Sequence, residues 1–224
     1  MFYHQPGYIN RLTTLSHSSS TGQNLTASLQ PHDPDVIRDI AIAVELIHMA
    51  SLVHDDVIDY AATRRGRPSV NNRWGNQISV LTGDYLFATA FNLINQHSLP
   101  AVTDTLSHTI KIMCSGEIKQ LFMLYNINIS EEEYYDKTYR KTACLFAASC
   151  KIGALASNLP EEQMTLLQQY GLCLGYAYQI IDDVLDFVSD TSTLGKPAGS
   201  DLLQGNITLP VILGLKDEES GLKL

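Results

Sequence analysis

The chain has 224 residues, 45% of them hydrophobic and 17% charged, enough for one domain with a real buried core. A formal net charge of −9 excludes general nucleic-acid binding through a basic face, so an anionic substrate would have to be met by metal ions or local basic clusters. The four cysteines, Cys114, Cys144, Cys150 and Cys173, form neither a C-x-x-C pair nor a metal-type spacing, which predicts free thiols in a reducing compartment.

The opening residues, MFYHQPGYIN, carry no basic region followed by an apolar run, so no secretory leader is read there and the cytoplasm is the expected location. Residues 1–33 read as a separate segment. The stretch 16–24 (SHSSSTGQN) is polar and of low complexity, and is read as loop or disorder. From residue 34 to 224 the chain reads as one helical domain. Apolar residues recur at three- and four-residue spacing over 36–62, 76–96, 101–125, 131–156 and 161–188. The longest apolar run, 41–53, is short for a bilayer and carries Glu45 and His48, so it reads as a core helix. Pro, Gly or Asn punctuate the breaks at 65–68, 99–100, 158–160 and 194–197. Ser130 followed by Glu131, Glu132 and Glu133 is a helix start with a capping oxygen. No strand pattern of useful length occurs. The fold class is therefore all-α, a bundle of long helices.

One short pattern occurs twice on this framework. His54-Asp55-Asp56-Val57-Ile58-Asp59 and Ile181-Asp182-Asp183-Val184-Leu185-Asp186 are both D-D-x-x-D on apolar helices, 127 positions apart. On a helix the first and fifth positions share a face, so Asp55 aims with Asp59 and Asp182 with Asp186. Like charges this close call for a cation between them, and hard oxygen ligands of this kind suit Mg²⁺ bridged to phosphates. A single such motif is more often a solvated helix face. Two copies in strongly apolar surroundings are not.

Basic and polar groups lie close by in sequence. Arg64 and Arg65 follow the first motif at a helix end, and guanidinium forks bind phosphate oxygens bidentately. Lys141 and Thr142 sit mid-helix, and Gln179 precedes Asp182 and Asp183 by three and four residues. Lys196 follows the second motif in a Gly-Lys-Pro loop, and His48 lies seven residues before Asp55.

Together these residues resemble the trans-isoprenyl diphosphate synthase family, the long-chain polyprenyl members above all. The matching strings are LIHMASLVHDDVIDYAATRRGRPSVNNRWG, LTGDYLF, GEIKQL, YRKTACLFAASCKIGA, GYAYQIIDDVLDFVSD and LGKPAGSDLLQGNITLPVI. The resemblance implies an isoprenoid synthase bundle around a deep central cavity, with two aspartate helices facing each other and three Mg²⁺ ions between them. It implies condensation of an allylic diphosphate with isopentenyl diphosphate, by ionisation, condensation and elimination, and a homodimer or heteromer that meets a membrane only peripherally, through its product. Carried onto this chain, Asp55, Asp59 and Asp182 are the leading metal ligands, with Asp56, Asp183 and Asp186 ligating or supporting. Arg64, Lys141 and Lys196 would contact the allylic diphosphate, His48 and Arg65 the isopentenyl diphosphate, and Thr142 and Gln179 the reacting region. Glu117 and Gln120 would order metal-bound waters. Ala50 and Ser51, one turn before Asp55, are small where short-product members carry aromatic residues, which implies a product of hexaprenyl length or longer.

Two features depart from the family pattern. The family's G-G-K-x-x-R-P segment has no counterpart before Asp55, where Arg11 and Arg38 are the only Lys or Arg residues, and the helices expected beyond 209–215 are missing. The first loss is expected to weaken isopentenyl diphosphate binding, and the second to expose apolar bundle surface. The alternatives are therefore a weakly active or noncatalytic subunit or fragment of a heteromeric synthase, and a class I terpene cyclase, against which the second D-D-x-x-D speaks.

Overall fold

The computed structural model describes residues 33–188 and 199–216. Residues 1–32 and Lys196 lie outside the described residues, and with them the readings placed there. In chain order the elements are α1 (Pro34–Ile58), β1 (Thr63–Arg64), β2 (Arg67–Pro68), α2 (Val70–Trp74), α3 (Asn76–Asn95), α4 (Pro100–Met123), α5 (Glu131–Thr138), a π-helical turn (Tyr139–Ala143), α6 (Cys144–Ala156), α7 (Glu161–Val188), α8 (Ser200–Leu203) and α9 (Leu209–Lys216).

Local chemistry sets the boundaries. Asp33 caps α1 by accepting from the Asp35 amide at 2.9 Å, with Pro34 in the first turn where no amide donor is needed. Ser130 and Glu133 close a reciprocal capping box at the start of α5, at 3.2 and 2.9 Å. The first helix stops four residues short of the periodicity. Its end is a Schellman motif: the Ala61 amide donates to the Asp56 carbonyl at 2.9 Å and the Tyr60 amide to Val57 at 3.4 Å. Tyr60 takes the left-handed position (φ 51°) where glycine is usual.

A two-residue hairpin follows where the sequence shows no strand pattern. Thr63 pairs with Pro68 and Arg64 with Arg67, and Arg65 and Gly66 at its tip both have positive φ (51° and 72°). A tight hairpin of this twist requires that conformation, and glycine supplies it without strain.

The main core joins α1, α3, α4 and α6 through Ile40, Ala43, Ile47, Ile94, Leu106 and Ile152, all at most 4% exposed. A second cluster seats Tyr134 of α5 against Val211 and Ile212 of α9. Where α7 crosses the π turn and α6, Gly171 and Gly175 replace side chains: a Cβ at Gly175 would lie 2.5 Å from the Ala143 Cα. That close crossing sets the second aspartate motif beside the π turn. Among the described residues no helix is long and apolar enough to cross a membrane.

Candidate active site

The π turn is the hinge of the site. The sequence reads 131–156 as one helix, but Tyr139–Ala143 is wound wider, and such turns concentrate at functional positions because they re-aim side chains. Lys141 faces the first aspartate motif. Its ammonium pairs with Glu117 of α4 at 3.0 Å. Burial pulls its pKa down, but Glu117, Asp55 and Asp59 outweigh that and hold it above the ordinary value. Thr142, the next residue, faces the second motif and donates to Gln179 Oε1 at 2.7 Å. One turn of helix thus reaches both aspartate motifs.

The aspartates do not behave alike. Asp55 is half-buried, and its carboxyl is pushed up to about 7, first by burial and then by Glu117 and Asp59, against Lys141 and Arg64. Asp59, in the turn after α1, moves the same way for the same leading reason. Its amide still donates to the Asp55 carbonyl at 2.8 Å, so the two remain on one side. No hydrogen bond or ion pair among the described residues reaches either carboxyl. Asp56 is turned inward at 2% exposure. Its Oδ1 accepts from Arg64 Nε at 2.8 Å and Nη2 at 2.7 Å, while its carbonyl accepts from Asn71 at 2.9 Å. This charged hydrogen bond is the leading cause that raises the Arg64 pKa.

In the second motif Asp182 is exposed, while Asp183 and Asp186 are buried together. Asp182 and Asp186, expected on one face, thus differ in burial, and the two buried carboxylates meet different donors. Asp183 Oδ2 accepts from the Tyr134 hydroxyl at 2.6 Å and Oδ1 from Gln179 Nε2 at 2.8 Å. Burial raises the Asp183 pKa, and those two donors pull it back. Asp186 accepts from the Ser200 hydroxyl at 2.9 Å and the Asp201 amide at 3.2 Å, and its carbonyl from Gly199 at 2.7 Å. It thereby anchors the start of α8.

Other predicted residues lie further off. His48 and Ser51 sit half-buried on α1, where Ser51 donates to the His48 carbonyl at 2.8 Å, and Ala50 is fully buried. Arg65 is exposed at the hairpin tip. Gln120 is buried, with an Oε1 that has no partner among the described residues. Sequence reasoning missed Tyr134, whose only signal is its place one turn into a capped helix. It missed His54 too, which bonds the Val80 carbonyl at 3.0 Å and locks α1 on α3. A cavity of about 260 Å³ between α4, α6 and α7, lined in part by His108, Cys144 and Lys151, holds none of the predicted residues.

Among the described residues no three His, Cys, Asp or Glu side chains form a ready metal cage. Mg²⁺ does not demand one, because it takes one or two carboxylates and completes its shell with water and phosphate oxygens. Asp55 and Asp59 fit that use: paired oxygen donors, short of counter-charge.

Comparison with known proteins finds relatives in sequence and in structure. The chain is 47% identical over 194 residues to "Heptaprenyl diphosphate synthase component 2" of Geobacillus stearothermophilus, covering 87% of this chain and 61% of that protein. The structure of heptaprenyl diphosphate synthase from Staphylococcus aureus superposes with a TM-score of 0.79 at 39% identity, over 82% of this chain and 57% of that one. A polyprenyl synthase from Caulobacter crescentus, complexed with calcium and isoprenyl diphosphate, gives 0.79 and 39%, over 83% and 56%. The chain thus spans about three-fifths of the length of these relatives. The model of the polyprenyl synthetase family matches residues 3–223, and the chain belongs to that family.

Proposed function

We propose that this chain carries the chain-elongating centre of a long-chain polyprenyl diphosphate synthase, joining an allylic diphosphate to isopentenyl diphosphate. The observation that carries the proposal is the π turn between the motifs, with Lys141 in the field of Asp55, Asp59 and Glu117 and Thr142 tied to Gln179 beside Asp182 and Asp183. A cation next to under-neutralised carboxylates is how a protein of net charge −9 receives a diphosphate.

Asp55, Asp59 and Asp182 would hold Mg²⁺, which as a Lewis acid supplies stabilisation of the negative charge that grows on the departing diphosphate. Lys141 neutralises that anion from the protein side, with Lys196 and Arg64 as further contacts. Arg64 is held in place by Asp56, so that role needs the guanidinium to keep its bond to Asp56 and offer its remaining N–H groups. His48 and Arg65 would take isopentenyl diphosphate, Thr142 and Gln179 would line the reacting carbons, and Glu117 and Gln120 would order water. Small residues at Ala50 and Ser51 leave room for a long tail, in keeping with relatives named for heptaprenyl products. A cytoplasmic setting belongs to the same proposal, supported by four cysteines that remain free.

A heteromeric assembly is the second reading, favoured by the word "component" in the relative's name and by exposed apolar residues along α7, Tyr170, Leu174, Tyr178 and Ile181. Asp55→Ala and Asp182→Ala test the metal assignment under either reading. Each should abolish turnover while circular dichroism stays helical, and turnover surviving in either variant sinks the metal assignment.

A further inference from the structure

Six hydroxyls in these helices, those of Thr82, Thr89, Thr105, Thr109, Ser149 and Thr165, donate to the carbonyl four residues earlier at 2.7–2.9 Å. That is the ordinary fate of a helical hydroxyl. Thr142 does otherwise. It sits in the π turn and donates across to α7, to Gln179 Oε1 at 2.7 Å. Gln179 in turn gives its amide N–H to Asp183 Oδ1 at 2.8 Å, and Asp183 Oδ2 takes the hydroxyl of Tyr134 at 2.6 Å. Tyr134 and Asp183 are buried, at 0% and 2% exposure.

Direction in this chain is not arbitrary. A carboxylate only accepts, so the Gln179 nitrogen must face Asp183 and its oxygen must face Thr142. The Thr142 hydroxyl then has to be the donor in the last bond. With its proton committed, its half-buried oxygen offers lone pairs alone to whatever lies beside Lys141. It can stabilise an electron-poor centre but cannot donate to a diphosphate oxygen.

We infer that Tyr134 and Asp183 are positioning residues which, through Gln179, fix the Thr142 hydroxyl as an acceptor toward the substrate. The inference rests on the proposed function for what Thr142 meets, but the relay itself stands on the three hydrogen bonds. It also separates the aspartates of the second motif: Asp183 works inward, toward Tyr134 and Gln179, while Asp182 stays at the exposed surface.

The test is a double-mutant cycle of Tyr134→Phe and Thr142→Val, each of which removes one hydroxyl at nearly constant shape. These hydroxyls share no direct bond, so independent structural roles would add. If the relay couples them, the denaturant midpoint of the double variant falls by clearly less than the sum of the two single shifts. In turnover, Tyr134→Phe should lower kcat about tenfold with KM for both diphosphates within about twofold, and should have no further effect in the Thr142→Val background. Additive midpoint shifts, or an equal kcat loss in both backgrounds, overturn the inference. Should Tyr134→Phe fail to fold, Asp183→Asn, whose carboxylate bonds Tyr134 and Gln179 rather than Thr142, replaces it in the cycle and is read by the midpoints alone. A wild-type chain with no turnover counts against the proposed function, while the midpoints still decide the relay.

Discussion

A methyl group at position 175 should pull the π turn away from α7. Gly175 is buried one turn before Gln179, and a Cβ there would lie 2.5 Å from the Ala143 Cα, 2.9 Å from its Cβ and 3.2 Å from the Phe146 Cβ. None of these atoms can rotate away, so α7 must retreat by about 1 Å to reach ordinary carbon contact. The Thr142–Gln179 bond, 2.7 Å long, would be stretched past the range of a good hydrogen bond. Overpacking of this kind costs about 1–3 kcal/mol, and the strained bond about 1 kcal/mol more. The gain in helix propensity returns about 1 kcal/mol, which leaves a net loss of about 1–3 kcal/mol. Urea denaturation followed by circular dichroism reads this directly. Gly153→Ala is the matched control, since nothing lies within 4 Å of a Cβ there, and it should stabilise by about 0.5–1 kcal/mol. A Gly175→Ala midpoint at or above wild type would refute the packing argument.

Further outcomes follow from the charges and caps. Because the Asp55 pKa is raised from 3.8 to about 7 in the fold, its contribution is fully present below pH ~4 and is lost as pH rises through about 7. Without divalent cations, Asp55→Asn should therefore be more stable than wild type at pH 8 and indistinguishable at pH 4; equal midpoints at both pH values would deny the shift. Lys141→Met strands Glu117, whose side chain is 14% exposed, and should cost about 2 kcal/mol by calorimetry, less than a fully buried pair because Lys141 is partly open. Ser130→Ala removes one side of the capping box and should lower stability by about 1 kcal/mol, with the loss read from the denaturant midpoint.

The helical framework was legible because its signals are local: apolar spacing, Pro34 and Pro100 at helix starts, and Ser130 with Glu133 at a cap. The two motifs were legible because a repeated D-D-x-x-D is rare and each copy lies within one helix. What the residues make of those motifs was not legible, because it depends on contacts across the chain. Asp56 is claimed by an arginine eight residues on, Asp183 by a tyrosine 49 residues earlier, and Asp186 by a serine 14 residues later. Helical periodicity treats all six carboxylates alike. The wider winding at Tyr139–Ala143 left no mark in sequence either, since its residues fit an ordinary helix. It lies where α7 approaches most closely, at Gly175 against Ala143, a contact 32 residues apart that no local pattern reports. The hairpin after α1 was hidden by its brevity, although Arg65-Gly66 carries the turn glycine.

The most direct test is incorporation of labelled isopentenyl diphosphate into extractable product by this 224-residue chain, with farnesyl diphosphate, in the presence and absence of Mg²⁺. The account predicts Mg²⁺-dependent long-chain product that disappears in Asp55→Ala. Product made equally well without Mg²⁺ or without Asp55 would contradict it, and a folded, helical chain that makes none alone would overturn the single-chain reading in favour of a subunit awaiting a partner.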